Sequence, residues 1–306
     1  MSGPTSYNET LAQRLTEKFP GADLKYLSNP KHSDEETIEI RSGSVLEIAR
    51  ELQKHYPFLL DVCGVDYPER NERFDVVYHL LNPDDSRRLR IKTRVSDGGA
   101  LPSLTSVYKS ANWFEREAYD MFGVRFEGHP NLRRILCHED FVGHPLRKDY
   151  PADRNQELRT PIEHSFAKDR ERLGLQDDDY LSDRVWLNIG PAHPATHGTL
   201  RFMAVMSGET LEKVDVEIGY LHRCFEKMCE THDYNQIIPY TDRLNYCSAP
   251  INNTAWCRTI EKMLGVTVPQ RAQVMRMIID ELARIIDHIV CISTNAVDLG
   301  ALTNFW

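Results

Sequence analysis

Two histidines, His193 and His197, are the residues of this sequence whose types and spacing first suggest chemistry. They lie in the segment 190–198, in which two prolines restrict the backbone and two glycines permit conformations closed to other residues. A short apolar run on each side of this segment is expected to form a strand. An imidazole on a stiff loop can bind a ligand, exchange a proton or hydrogen-bond its own turn. The residues alone leave open whether these histidines act in chemistry or only stabilise the turn.

A second candidate is the stretch 113–151, in which an acidic helix, an apolar turn and a basic loop follow one another. Its acidic members Glu115, Glu117 and Asp120 could pair with Arg133, Arg134, Arg147 and Lys148. Exposed pairs of this kind contribute only about 0–1 kcal/mol each. Because arginine and aromatic residues are enriched in protein interfaces, we expect a docking surface formed by Glu115, Arg133, Arg134, Arg147 and Lys148. A solvated charged face is the alternative.

The composition argues against several classes of protein. The 306 residues carry 37 Lys and Arg against 46 Asp and Glu, and this net charge of −9 argues against general affinity for nucleic acid. Seven cysteines without a Cys-x-x-Cys pair predict no disulfide framework and no zinc or iron–sulfur site held by the chain's own ligands. No signal-peptide pattern and no run of about 18 apolar residues is present, so we expect a protein that is neither secreted nor membrane-spanning.

The fold class expected from the pattern of elements is α+β. In the first half, helices are predicted at 9–18, 44–55 and 103–122, and strands at 36–41, 58–66, 74–81 and 88–95. These elements form a small domain at residues 1–153, with three or four antiparallel strands covered by helices on one face.

The second half predicts a short antiparallel sheet that leads into a helical bundle. Residues 154–183 are polar and acidic and are expected to form a linker, in which 162–173 could be a short helix. In residues 184–306, strands are predicted at 185–189, 200–206 and 211–218, and helices begin at Leu221, Asn253 and Pro269. Apolar residues at helical spacing from Met275 to Ile292 predict that the last helix packs in a bundle.

These features occur together in one known family. Residues 115–151 and 187–198 resemble the signatures of the C and D subunits of the proton-translocating NADH:quinone oxidoreductase, respiratory complex I, which some bacteria fuse in one chain. Further motifs at 219–227, 239–244, 268–269 and 298–303 extend the resemblance, in order, over about residues 35–306. It implies a C-like domain at 1–153, the linker 154–183, and at 184–306 the N-terminal part of a D-like domain related to hydrogenase large subunits. Because the D polypeptide continues further in the family, this last domain is expected to be incomplete.

The resemblance also implies a quinone site. His197 matches the histidine and Tyr246 the tyrosine that hold the quinone headgroup in the family, and Asp298 matches the carboxylate that pairs with that histidine. Imidazolium and phenol can hydrogen-bond a quinone oxygen and supply a proton to the reduced ring. A carboxylate beside the imidazole favours its charged form and orients it. His197, Tyr246 and Asp298 are therefore the expected catalytic residues, and His193 is expected to be structural.

The implied function is that of a subunit in the peripheral arm of the complex. This subunit takes part in quinone reduction only when the complex is assembled. The electrons should come from an iron–sulfur cluster held by a partner subunit, because no cysteine grouping here could ligate one. The other expected partners are iron–sulfur subunits of the peripheral arm and the membrane subunit at the quinone site. The implied location is the cytoplasmic side of the bacterial inner membrane, as a peripheral membrane protein.

Two positions depart from the family pattern. Asn245 stands where an acidic residue usually precedes the tyrosine, so an uncharged amide replaces a carboxylate next to the expected headgroup site. Cys224 stands where glycine is usual.

Two alternatives remain. Membrane-bound nickel–iron hydrogenases resemble the D polypeptide but carry Cys-x-x-Cys at the position of Asn245–Ser248, and the sequence here lacks both cysteines. The other alternative is a non-catalytic assembly fragment that folds its C-like domain without completing a quinone chamber.

Overall fold

The computed structural model describes residues 7–29, 32–154, 156, 166–175 and 184–305. The chain divides into two compact units, Met1–Arg159 and Thr160–Trp306, and each is described by itself.

The first unit is built on a five-stranded sheet. Its strands are β1 (Lys25–Asn29), β2 (His32–Ile40), β3 (Phe58–Asp66), β4 (Phe74–Leu81) and β5 (Arg88–Val95), in the spatial order β1-β2-β5-β4-β3. Neighbouring strands are antiparallel except β2 and β5, which are parallel. The expected α+β class is confirmed, but β1 and the parallel pair were not expected. β1 is too short to show a clear alternation, and the direction of β2 depends on a non-local pairing that the pattern does not encode.

The described residues of the same unit also form the helices α1 (Tyr7–Lys18), α2 (Val45–Leu52) and α3 (Ala111–Phe122) and a small parallel pair, β6 (Ala100–Pro102) and β7 (Arg125–Glu127). In β5 the apolar residues Leu89, Ile91 and Val95 are buried in the core, and the intervening cations face away from it. Leu15 of α1 and Ile48 of α2 belong to the same core. The alternation of β5 is that of a strand with one covered face.

Helix α3 begins eight positions later than the sequence predicts. Residues 103–110 form turns, and the backbone N–H of Leu104 donates to the carboxylate of Glu115 at 2.6 Å. A side chain from within the helix therefore holds the preceding segment in a non-helical conformation.

The second unit contains helix α4 (Phe166–Leu173) and an antiparallel sheet of three strands, β8 (Arg184–Ile189), β9 (Arg201–Ser207) and β10 (Thr210–Glu217), in the order β10-β9-β8. The four helices that follow are α5 (Phe225–Thr231), α6 (Tyr234–Thr241), α7 (Ala249–Leu264) and α8 (Gln270–Asp298). The three strands agree with the sequence prediction. Helix α6 was not expected because it contains Pro239. Its first turn is closed by Gln236, whose side-chain oxygen accepts the backbone N–H of Asp233 at 3.0 Å.

Helix α8 has 29 residues and carries an uncovered apolar stripe. Ile278, Leu282, Ile285, Ile289 and Ile292 are each more than half exposed. Two of the contacts with α7 are polar: Arg276 pairs with Glu261 at 2.5 Å, and Asp280 accepts a hydrogen bond from Thr254 at 2.9 Å. Within the described residues, the stripe predicted to pack in a bundle is therefore exposed. No described helix combines the length and the apolar character needed to cross a membrane.

Candidate functional site

The loop between β8 and β9 is held in shape by its own hydrogen bonds. Gly190 has φ +93°, and a Cβ atom there would overlap the carbonyl oxygen of Leu200, so only glycine fits. The Nδ1 atom of His193 accepts the backbone N–H of Ala195 at 3.1 Å. The hydroxyl of Thr196 lies 2.7 Å from the carbonyl oxygen of His193. The imidazole of His193 therefore stabilises the loop.

His197 lies at the end of the short 3-10 turn Pro194–Thr196, and its backbone is left-handed with φ +49°. Its Nε2 atom lies 2.9 Å from Oδ2 of Asp298, and the two side chains are 36% and 40% exposed. The described residues offer no hydrogen bond to the other ring nitrogen, Nδ1. If the carboxylate holds Nε2–H, Nδ1 is the nitrogen that can meet a ligand.

Asp298 is the last residue of α8. The carbonyl groups at the C-terminal end of a helix carry partial negative charge, so a carboxylate at this position is electrostatically unfavourable without a cation nearby. The imidazole of His197 lies 2.9 Å from this carboxylate and remains accessible to solvent or to a ligand.

Tyr246 is attached to a different part of α8. It belongs to the 3-10 turn Tyr246–Ser248 before α7, its side chain is 64% exposed, and its hydroxyl has no hydrogen-bond partner among the described residues. The neighbouring Asn245 contacts Asp287 of α8 at 3.3 Å. Asp287 precedes Asp298 by about three helical turns, which is roughly 16 Å along the axis. The structure thus joins His197 to Asp298 and attaches the Tyr246 turn to α8 nearer its N-terminus.

Asn245 has a local reason to be an amide. Its Nδ2 atom donates to Ser248 Oγ at 2.7 Å and also faces Asp287. A carboxylate at this position could donate neither hydrogen bond and would repel Asp287.

In the first unit, the structure removes Glu115 from the expected docking surface. Its side chain is 0% exposed and accepts hydrogen bonds from Ser103 Oγ at 2.7 Å and from the backbone of Leu104. Burial raises the pKa of Glu115 to about 7. The expectation of an exposed ion pair was wrong for this residue, because Glu115 lies on the face of α3 that packs on the core.

Arg134 also has an internal role. It pairs with the buried Asp120 at 2.6 Å and donates to the carbonyl oxygens of Phe141 and Gly143 at 2.8 Å each. Asp120 accepts three further hydrogen bonds, from the backbone N–H groups of residues 135–137. The pair between α3 and the basic loop was expected from the sequence, but it organises the loop from inside.

The other three basic residues lie nearer the surface. Arg147 contacts Asp97 and is largely covered, Arg133 is partly exposed, and Lys148 is exposed. The backbone N–H of Lys148 donates to the buried Asp66 at 2.7 Å. Docking by Arg133, Arg147 and Lys148 stays a prediction.

Sequence reasoning did not single out Arg201, the first residue of β9. Its side chain is 2% exposed and pairs with Asp169 of α4, which is 4% exposed. A cation at a strand position that should face the sheet interior was the available signal.

Within the described ranges, no group of three or more His, Cys, Asp and Glu side chains is placed to hold a metal ion.

Comparison with known proteins places the chain. Residues 38–156 match the family described as respiratory-chain NADH dehydrogenase, 30 Kd subunit. Over 299 residues the chain is 52% identical to the C/D subunit of the NADH-quinone oxidoreductase of Bdellovibrio bacteriovorus, and the match covers 97% of this chain and 52% of that protein. The C/D 2 subunit of the Aquifex aeolicus enzyme is 37% identical over 320 residues, covering 97% of this chain and 54% of that protein.

One solved structure is a trypsin-resistant fragment (1–134) of Nqo5, which is 31% identical, covers 39% of this chain and 98% of that one, and has a TM-score of 0.35. The chain spans about half the length of the curated relatives it matches. Similarity along nearly the whole chain, together with the match of residues 38–156, shows that the chain belongs to the family of fused C/D subunits of NADH-quinone oxidoreductase.

Proposed function

We propose that this chain forms part of the quinone-reduction site of a proton-translocating NADH:quinone oxidoreductase, in which it acts as a peripheral-arm subunit. The observation that carries the proposal is the contact of His197 Nε2 with Asp298 Oδ2 at 2.9 Å. It joins a stiff loop to the end of α8 and leaves Nδ1 available for a headgroup oxygen.

The reduction of a quinone to a quinol consumes two electrons and two protons. His197 in its imidazolium form hydrogen-bonds one quinone oxygen and donates a proton as negative charge develops there. Asp298 orients the imidazole ring through its contact with Nε2. The electrons are proposed to come from an iron–sulfur cluster that a partner subunit holds.

Tyr246 is the proposed donor to the second quinone oxygen. The family resemblance and its exposed, unpartnered hydroxyl support this role. The hydroxyl is not held by the described residues, so it is available to bind a headgroup.

Assembly with other subunits is the second part of the proposal. The uncovered apolar stripe of α8 is of the kind that a partner or a further part of the fold covers. Arg133, Arg147 and Lys148 of the first unit are proposed to dock an iron–sulfur subunit of the peripheral arm. The second unit is proposed to meet the membrane subunit at the quinone site, on the cytoplasmic side of the bacterial inner membrane.

The hydrogenase alternative is disfavoured by the geometry of Asn245 and Ser248. These are the two positions at which a nickel site would need cysteines, and here they hydrogen-bond each other at 2.7 Å. Their side chains close the turn that carries Tyr246.

Photolabelling of the assembled complex with an azido-quinone tests the proposed site. We expect label in the peptides that contain His197 and Tyr246, and excess unlabelled quinone should abolish it. Label confined to other subunits, or label here that unlabelled quinone does not displace, would contradict the proposal.

A further inference from the structure

Arg201 connects the three strands of the small sheet in the second unit. It belongs to β9, and its Nε donates a hydrogen bond to Asn188 Oδ1 of β8 at 2.7 Å. Its Nη1 lies 3.2 Å from Glu217 Oε2 of β10. A guanidinium has its donors in a fixed fork, so these contacts fix the relative positions of the three strands at one end of the sheet.

That end of the sheet is the base of the loop that carries His197. Asn188 stands two positions before Gly190, and Arg201 directly follows Leu200, whose carbonyl oxygen packs against Gly190. The loop therefore leaves β8 next to Asn188 and rejoins the sheet at Arg201. The guanidinium of Arg201, which bonds to Asn188, joins these two points.

The same guanidinium makes a two-point ion pair with Asp169 of α4. Nη1 lies 3.0 Å from Oδ1 and Nη2 lies 2.7 Å from Oδ2, and both side chains are buried. A buried charge is costly without a partner of opposite charge, and the carboxylate of Asp169 is that partner for the guanidinium of Arg201. Because the two parallel contacts have a fixed geometry, they also set the orientation of the guanidinium. Asp169 thus determines where Arg201 points.

Helix α4 is attached to the sheet by further contacts on the same side. Leu173 is buried against Met203 and Val205 of β9. Arg172 pairs with Glu217, and Lys213 of β10 donates to the carbonyl oxygen of Gly174 at 3.1 Å. The helix lies inside the stretch that the sequence assigns to a linker, but its packing makes it part of the second unit.

We infer that Asp169 and Arg201 are positioning residues for the quinone site: they hold the base of the loop so that His197 meets Asp298. This inference rests on the proposed function for its chemical consequence. Neither residue contacts the headgroup. They act through the backbone of β8 and β9, and α4 becomes a support of the site.

The test compares three variants in the assembled complex. Asp169→Asn keeps the shape but removes the charge from the two-point pair with Arg201, and Asp169→Glu restores that charge. Arg172→Gln is the matched control, because Arg172 lies on the same helix and pairs with Asp215 and Glu217 of β10, a strand that does not flank the loop. The measurements are kcat and KM for a water-soluble quinone, with NADH-dependent reduction of an artificial acceptor as the upstream control.

Asp169→Asn should lower kcat for quinone by about tenfold with a smaller change in KM, because a misplacement of about 1 Å is costly in catalysis. Asp169→Glu should recover most of the loss, and Arg172→Gln should change kcat by less than about twofold. In an Asp298→Asn background, Asp169→Asn should add little further loss, because the contact it supports is already weakened. Losses that multiply, or equal losses for Asp169→Asn and Arg172→Gln, would overturn the inference.

Hydrogen exchange gives a readout that does not depend on quinone. The backbone N–H groups of Thr196 and His197 are bonded within the loop, at 3.1 and 3.4 Å. Their peptide should exchange faster in Asp169→Asn and not in Arg172→Gln. If the peptide exchanges faster in Asp169→Asn while Asp169→Asn and Asp298→Asn both reduce quinone normally, the proposed function is wrong. The role of Asp169 in positioning the loop would still hold. Unchanged exchange would overturn the positioning role itself. If Asp169→Asn does not assemble, Asn188→Ala removes only the neutral acceptor and is expected to act in the same direction.

Discussion

His197 and Asp298 are 101 positions apart in the sequence, and their side chains meet at 2.9 Å. The histidine stands on a loop fixed by Gly190 and Thr196, and the aspartate stands at the end of a 29-residue helix. The contact therefore depends on two supports that are formed independently. Changes in either support should weaken this contact before they unfold the second unit.

Glu115 predicts a pH-dependent stability of the first unit. Burial raises its pKa to about 7 from an ordinary 4.5, so its contribution is complete below pH 4.5 and is lost as the pH rises through about 7. Relative to Glu115→Gln, the wild type should lose on the order of 2–3 kcal/mol of unfolding free energy between about pH 5 and pH 8. Urea unfolding followed by amide exchange in β3 to β5 measures this difference. A difference that does not change with pH would count against the buried acid.

Arg134 and Lys148 should respond differently to charge reversal. Arg134→Glu breaks a largely buried pair with Asp120 and should cost about 3–5 kcal/mol of unfolding free energy. Lys148→Glu changes an exposed side chain and should stay within about 0.5 kcal/mol. Denaturant unfolding of the two variants gives both values, and equal stabilities would show that Arg134 does not organise the loop.

Arg133 and Lys148 together test the docking surface. We expect the double variant Arg133→Glu, Lys148→Glu to fold with wild-type stability and to co-purify poorly with the iron–sulfur subunits, because both charges lie at or near the surface. Glu117→Lys, which changes a charge on the neighbouring helix in the opposite sense, serves as the control. Normal co-purification of the double variant would remove these residues from the interface.

Gly190 should be far more sensitive to alanine than Gly208. Both have positive φ, but a Cβ at Gly190 overlaps the carbonyl oxygen of Leu200, and at Gly208 nothing lies within 4 Å. Gly208→Ala should cost about 1 kcal/mol, and Gly190→Ala more than about 3 kcal/mol. Unfolding curves monitored by exchange in β8 and β9 compare the two. Similar costs would indicate that the loop can shift to accept a side chain.

Tyr246→Phe removes one hydroxyl from an exposed site and should leave the stability of the chain unchanged. If the hydroxyl binds a quinone oxygen, quinone reduction should fall by the equivalent of about 0.5–1.5 kcal/mol for a neutral hydrogen bond, and further if its proton is transferred. The quinone kcat/KM of the assembled complex is the measurement. A wild-type kcat/KM would show that Tyr246 does not donate to the headgroup, and His197 would remain as the proposed donor.

The sequence predicts β8, β9 and α8 of the second unit well because these elements show clear apolar periodicity, but it does not predict α6, which contains Pro239. It does not predict the start of α3, which depends on Glu115 reaching back to Leu104. It does not predict that Glu115 is buried, because the residues around it are charged or aromatic and mask the inward face of the helix. The sequence does not predict the role of Arg201 either. Its partner Asp169 lies 32 positions away, in a stretch that lacks the apolar periodicity by which a packed helix is recognised.

The pairing of His197 with Asp298 could be expected only from the family resemblance. No local pattern relates two residues this far apart in the chain. The resemblance in turn does not predict where Tyr246 lies. It groups Tyr246 with His197 but does not indicate that the Tyr246 turn contacts α8 about three helical turns before Asp298.

Quinone reduction by the assembled Asp298→Asn complex distinguishes a quinone site at His197 from a mere packing contact. Asparagine keeps the shape and can still contact His197, but it removes the negative charge beside the imidazole. We expect kcat for a water-soluble quinone to fall by about tenfold, with NADH-dependent reduction of an upstream acceptor unchanged. Wild-type quinone reduction, or an equal loss of the upstream activity, would contradict the assignment of His197 and Asp298 to the quinone site.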